Sequence, residues 1–414
     1  MKDNEILIKK IFKKIDSYRK AMIDLQIALT AAKAVGPENG GEGESHKAQV
    51  LKKYLKELGF TNFRHYDAPD KSVPAGFRPN FVTTIKGKNK NNFVWILTHL
   101  DVVPPGELKL WSRDPYQAYV QNGRIIGRGV EDNQQDMVAS IFAVKAFIDN
   151  GIMPAKSIGL AFVSDEETSS KMGLDYMLKC KNQPFGRNDL IIAPDVGNNK
   201  GTLIEVAEKS MLWLRFKTKG KQCHASKPDL GKNAFAAASH LVVRLGALKK
   251  RFSKTDTLFN PPASTFEPTR KEENVGNINT IPGEDVFYLD CRVLPQYNLN
   301  DVIADIKKIT SDVEKKFKVK VKISIIQKLQ APEPTATNAP VVRALRKAIK
   351  NVYSVRASAG GVGAGTVAVF FRKKNYPVAV WSKMNLSAHQ PDEYCTIDNM
   401  LGNAKVFAHI FLQD

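Results

Sequence analysis

Long hydrophobic runs are missing from this sequence. No stretch of about 18 uncharged apolar residues, the length that crosses a bilayer as a helix, occurs in the 414 residues, so no membrane partner is expected. The opening segment, MKDNEILIKKIFKKIDSYRK, is charged every few residues where a secretory signal would carry an unbroken apolar core. It reads as the first helix of a cytoplasmic protein. Cysteine is scarce as well: Cys180, Cys223, Cys291 and Cys395 lie far apart and form no CxxC pair. That spacing argues against both a disulfide framework and a thiolate zinc site, and favours a reducing compartment. A phosphate-binding glycine loop is also lacking, because 359-AGGVGAGT-366 matches neither GxGxxG nor GxxxxGK[ST]. Acidic residues are outnumbered, 42 against 62 Lys and Arg, which leaves a net charge of +20. Such an excess raises a nucleic-acid reading, since clustered cations release counterions from phosphates. Here IKKIFKK, KGKNK, LKKRF and FFRKK sit in separate segments with no aromatic-basic motif. A lysine-rich solvated surface, with no nucleic-acid partner, is the simpler reading.

What is present points to two cores, as a chain of this length allows. Helical patterns cover about 5–34 and 45–58, on either side of the glycine-rich loop 36-GPENGGEGES-45. Strands are predicted at 80-NFVTTIKG-87, 93-FVWIL-97, 158-IGLAFV-163, 190-LIIA-193 and 377-PVAVW-381, and helices at 133–151, 170–180 and 341–353. Continuous apolar strands alternating with helices predict an α/β fold, a mostly parallel sheet with helices on both faces. Between these elements the order changes. From MLWLRFKTKG to KVKISIIQ it is β-α-β-β-α-β, the ferredoxin-like order. The expected organisation is a discontinuous domain of residues 1–210 and 331–414, with residues 211–330 inserted into it and 331-APEPTATNAP-340 as a proline-rich boundary.

Polar side chains of one chemical kind follow four of the predicted strands. The run 93-FVWIL-97 leads into His99 and Asp101, which at i and i+2 share one side of an extended chain. A carboxylate placed there can hold one imidazole nitrogen while the other binds a metal; taken alone, the pair is more simply a satisfied histidine at a strand end. The pattern recurs, however. The strand 158-IGLAFV-163 runs into Asp165, Glu166 and Glu167, three carboxylates that would repel one another without a cation. Asp195 follows 190-LIIA-193, and His389 lies in 387-SAHQPDEY-394 after 377-PVAVW-381. Asp132, at the head of a predicted helix, is a fifth member or else a helix cap. In open α/β sheets ligands bind at the carboxyl ends of the strands. Two histidines with several carboxylates and no cysteine suit one or two divalent ions such as Zn²⁺, Mn²⁺ or Co²⁺.

HLDVVP, GRGVEDN, SDEE, APDVG and SAHQPDEY, in that order, resemble the M20 family of dinuclear metallohydrolases. That family includes succinyl-diaminopimelate desuccinylase, acetylornithine deacetylase, aminoacylase and carboxypeptidase-like dipeptidases. The resemblance implies an amide-cleaving enzyme with two divalent ions, most simply Zn²⁺, acting on a small carboxylate-bearing substrate, an N-acyl amino acid or a dipeptide. His99 and Asp195 would bind one ion, Glu167 and His389 the other, and Asp132 both. Asp101 would orient His99, and Glu166 would be the general base for the activated water. In the inserted segment, which the family uses as a lid and dimer contact, His224 would reach the substrate oxyanion of the partner subunit. Asn279 and Arg292 would bind the substrate carboxylate, with Gly365 and Thr366 in the family's GGT-like segment. In place of the DxKG-like sequence of many relatives the chain has 132-DNQQD-136, which argues against a close assignment to the desuccinylases or deacetylases. Asp rather than Glu at 195 leans toward the peptidases. The rival readings are a basic nucleic-acid-binding protein and a metal-binding homologue without catalysis.

Overall fold

The computed structural model describes residues 2–363 and 365–413. They divide into two compact units: Met1–Val206 with Thr335–Ala359 and Thr366–Asp414, and Ala207–Pro334 with Gly360–Gly365.

The first unit is built on a sheet in which Lys156–Val163, Asn89–His99, Leu190–Asn198 and Val378–Lys383 are consecutive parallel neighbours. Antiparallel strands flank this centre: Phe81–Ile85 beside Lys156–Val163, and Leu203–Glu208 beside Val378–Lys383. The central strands are apolar at successive positions because both faces are covered. On one face Trp95, Leu97, Ala161, Ile191 and Val380 meet Leu174, Met177, Phe185 and Phe371. On the other lie Gln135–Asn150, Pro340–Tyr353 and Ile397–Phe411. Gly159 is required where it stands, since a Cβ there would fall 2.2 Å from the Trp95 ring. The indole itself is fixed at 2.9 Å by Asp189 Oδ2.

The second unit has the ferredoxin-like order. Its strands are arranged Thr265–Lys271, Glu284–Val293, Ser210–Lys219, Lys320–Leu329, each antiparallel to its neighbour. Alternation along Ser210–Lys219 turns Leu212, Leu214 and Phe216 toward helices Ala234–Leu245 and Leu299–Phe317. Phe216 stacks on its cross-strand partner Phe287 at 4.6 Å.

Several boundaries differ from the sequence-based expectation. The first helix is two, Lys2–Ser17 and Arg19–Ala31. The helix expected from 133 starts at Gln135, after an irregular turn, Val130–Gln134, in which Asp132 and Asn133 are not helical. Leu190–Asn198 runs past Asp195, because Gly197 and Asn198 continue to pair with Ser382 and Lys383. The glycine-rich loop contains a strand, Ser358–Val362. Its glycine at 361 admits the Phe259 ring, which a Cβ would meet at 2.3 Å. The helix Ile397–Phe411, buried along nearly its whole length, was not anticipated because its apolar residues surround the axis and leave no periodic stripe.

Candidate metal centre

Register brings the site together. In the parallel pair formed by the first two of these strands, His99 is level with Val163, so the loops bearing Asp101 and the 165–167 carboxylates leave the sheet side by side. On the other side Ile96 is level with Ile192, and continuing that register sets Asp195 opposite His99. Asp132 enters from the irregular turn before its helix, and His389 from the loop after Val378–Lys383.

The Asp132 carboxylate stands between the two histidines. Oδ1 is 3.0 Å from His99 Nε2 and Oδ2 is 3.1 Å from His389 Nε2. His99 Nε2 is also 3.4 Å from Asp195 Oδ1, and His389 Nε2 is 3.1 Å from Glu167 Oε2. The ligand atoms therefore form two groups, His99–Asp132–Asp195 and Asp132–Glu167–His389, each within 4.8 Å and sharing Asp132. Imidazole nitrogens and carboxylate oxygens without sulfur fit divalent ions of the zinc, manganese and cobalt kind.

The electrostatics fit a cationic occupant. Burial pushes the His99 imidazolium down, but hydrogen bonds to Asp101, Asp132 and Asp195 outweigh it and hold the ring well above the usual histidine range. Contacts with Asp132 and Glu167 push His389 up to about 10. Protonated imidazoles supply here the positive charge that the carboxylates demand, which divalent ions would supply instead. Glu167 is pushed up to about 7, first by burial and next by Asp132. Burial and then Asp195 hold Glu166 well above the ordinary carboxylate range.

Asp101 contacts the imidazole from behind. Its main-chain oxygen lies 3.0 Å from His99 Nδ1, with its own Oδ1 at 3.5 Å. The other carboxylate oxygen accepts the Glu167 N–H at 2.9 Å, so one residue orients a ligand and ties down the loop of another. Asp165 faces elsewhere: it accepts hydrogen bonds from Thr168 Oγ1, from Ser169 Oγ at 2.9 Å and from Met172 N at 2.9 Å, capping the turn beyond. The presumed mutual repulsion of three carboxylates therefore concerns two.

Groups that the sequence reading did not single out surround this centre. Asn133 donates from Nδ2 to Asp195 Oδ1 at 3.2 Å and accepts the His99 N–H. Glu44 pairs with Arg78, both side chains fully buried, and accepts the Asp165 N–H at 3.3 Å. Lys47 is buried; desolvation lowers it to about 8, against the pull of Asp101, Glu393, Glu44 and Glu167. A lone glutamate or lysine in an amphipathic segment carries no sign of burial, so the sequence offered no signal for Glu44 or Lys47.

The remaining candidates lie in or beside the second unit. His224 lies in a two-stranded antiparallel pair, Cys223–His224 with Thr280–Ile281, where it pairs with Thr280, and Asn279 directly precedes the second strand, its carbonyl accepting the Ala225 N–H at 2.8 Å. Arg292 is engaged by Asp290 at 2.8 and 3.0 Å and donates to Gly363 O at 2.8 Å. Gly365 belongs to the same unit. Thr366 belongs to the first, where its hydroxyl accepts the Ala368 N–H at 3.2 Å at the head of the helix Ala368–Lys373.

One turn beyond Asp132, Asp136 is buried against Ser382 Oγ at 2.6 Å and Asn403 Nδ2 at 2.8 Å. Burial pushes it up to about 7, more than those hydrogen bonds pull it down. Its protonated form favours the folded state. That contribution is full below the unfolded value near 3.8 and is lost as pH rises through about 7. Asp136→Asn, a neutral mimic, is expected to melt increasingly above the parent as pH rises from about 4 to about 7, by about 1–2 °C per kcal/mol recovered in a chain of 414 residues. Parallel melting curves at every pH would contradict the assignment.

A hydrolase that uses divalent ions is the class this fold and donor set define. Peptidase family M20/M25/M40 matches residues 95–413, and the chain belongs to it. An uncharacterized metallohydrolase of Methanocaldococcus jannaschii is 39% identical over 403 residues, covering 94% of this chain and 98% of that protein. Succinyl-diaminopimelate desuccinylase of Polynucleobacter necessarius is 25% identical over 387 residues, 92% of this chain and 96% of its own. In fold, the crystal structure of human carnosine dipeptidase 1 matches with a TM-score of 0.74 at 18% identity, over 98% of each chain.

Proposed function

We propose that this metallohydrolase cleaves the amide bond of a small substrate bearing a free carboxylate, an N-acyl amino acid or a dipeptide, with two Zn²⁺ ions. The observation that carries the two-ion reading is Asp132, whose two carboxylate oxygens face different histidines. His99 and Asp195 would hold one ion, Glu167 and His389 the other, and Asp132 both. When bound, the ions lower the pKa of water toward neutrality and offset negative charge developing on the amide oxygen. Glu166, next in sequence to a ligand and held above the usual carboxylate range, takes the proton of the attacking water and passes it to the leaving amine. Asp101 keeps Nδ1 of His99 occupied, so that Nε2 is the nitrogen left facing Asp132 and Asp195.

In the second unit, the proposed lid, the Arg292 fork, which pairs with Asp290 at 2.8 and 3.0 Å, would exchange that partner for the substrate carboxylate, and Asn279 would bind the same carboxylate. His224 donates to the oxyanion, from the partner subunit if the lid forms the dimer contact. Gly365 and Thr366 line the substrate from the backbone side. Four free thiols suit a reducing cytoplasm. The excess of positive charge steers an anionic substrate. Hence kcat/KM is expected to fall with added salt while kcat stays level; a salt-independent kcat/KM would remove steering from the account.

The test is mass spectrometry of a mixed pool of N-acyl amino acids and dipeptides, incubated with Zn²⁺- or Mn²⁺-loaded protein. Loss of one class identifies the activity as deacylase or dipeptidase. A pool unchanged with either metal would overturn the substrate assignment.

A further inference from the structure

Two buried glutamates outside the ligand set face each other's chain segments. Glu131 precedes the bridging Asp132, yet its carboxylate reaches the His389 loop: it accepts from Asn385 N, from Ser387 N at 2.5 Å, from Ser387 Oγ at 2.7 Å and from Ala388 N at 3.1 Å. Glu393 follows His389, yet its carboxylate reaches back to the Asp132 turn. It accepts from Arg128 Nη1 at 2.6 Å, Gly129 N at 3.1 Å, Glu131 N at 3.0 Å and Asp132 N at 3.1 Å. Both residues are 1% exposed, so these contacts are made away from water.

We propose that Glu131 and Glu393 are positioning residues that form a reciprocal latch, each carboxylate fixing the loop that carries the other histidine or aspartate ligand, and so set the spacing between Asp132 and His389. The inference rests on the metal-site reading above. Neither loop is held by regular structure. The 385–392 segment has three non-glycine residues in the left-handed region, Leu386, His389 and Asp392, with φ of 63°, 64° and 52°. Such conformations persist only where surroundings over-determine them. On the other side, Asp132 and Asn133 depart from helical geometry. Eight donors on two carboxylates supply what these backbones lack, and burial makes each contact worth more than it would be in water.

The chemistry of the contacts separates a latch from simple packing. Every group facing the four oxygens is a donor. Glutamine fills the same volume, but its NH₂ would point at N–H groups, so it cannot restore the contacts. The experiment uses full-length chain as Glu131→Gln and as Glu393→Gln, read by amide hydrogen exchange without metal and by Zn²⁺ competition against a chelator. Expected in Glu131→Gln is faster exchange, by at least about tenfold, at 385–388, and in Glu393→Gln at 129–132. Zn²⁺ affinity should fall by about 10–100-fold in both. Ser387→Ala, which removes one donor to Glu131 together with the Ser387 Oγ contacts to Tyr394 N at 3.0 Å and Tyr394 O at 2.8 Å, should loosen 385–388 and position 394 while leaving 129–132 at the parental rate, and keeps the test open if a glutamine variant does not fold. Parental exchange in these segments would overturn the latch, whether or not affinity falls, because loss of a negative charge alone weakens Zn²⁺ binding. Parental affinity in both glutamine variants would overturn its role in spacing the ligands. If the parent bound no Zn²⁺, the metal reading would fail by itself and exchange would decide the latch.

Discussion

Glu166→Ala is expected to lower kcat by about 10²–10⁴-fold, the range for loss of a general acid–base group, while the bound metal content stays close to the parent's. The two halves of this result have separate physical origins. Neighbouring side chains diverge, and Glu167 rather than Glu166 approaches His389 Nε2 at 3.1 Å, so removing Glu166 leaves both ligand groups complete. What would disappear is the proposed proton acceptor for the attacking water. Glu166→Gln should match alanine, because an amide preserves shape and polarity but cannot take the proton. A variant with parental turnover would remove Glu166 as the base; one that lost both ions as well would make it a ligand.

Asp132→Ala is expected to be at least as damaging to activity and, unlike Glu166→Ala, to lose metal. Its carboxylate is the one member common to the two ligand groups. At Nε2 the imidazoles of His99 and His389 would then be left with Asp195 at 3.4 Å and Glu167 at 3.1 Å, respectively. Burial and contact with those carboxylates make the positive charge a requirement of the site, so the variant should also show weaker stabilisation by added Zn²⁺ in thermal melts. Equal stabilisation of parent and Asp132→Ala would show that the shared aspartate does not hold the ions.

The parallel centre of the sheet was legible because its strands are apolar at successive positions, and the element order of the second unit because its helices and strands keep distinct periods. Residues that follow the apolar runs, such as His99, Glu167 and Asp195, were legible for the same reason: a polar group after an apolar run marks the sheet's carboxyl edge. Glu131 and Glu393 were not. Each acts across a gap of more than 250 positions, on backbone N–H groups that have no sequence signature. Asp165 was grouped with its neighbours for charge, whereas its φ of 63° turns it into a cap. In the second unit, Arg292 has the fork expected for a carboxylate and spends it on Asp290, a partner two residues away that the resemblance did not imply.

The most direct test of the account is the number of divalent ions bound per chain, measured by equilibrium dialysis against Zn²⁺ with elemental analysis. Two ions in the parent, two in Glu166→Ala and fewer than two in Asp132→Ala is the predicted pattern. A parent that retains no ion at saturating Zn²⁺ would contradict the two-ion centre built on Asp132.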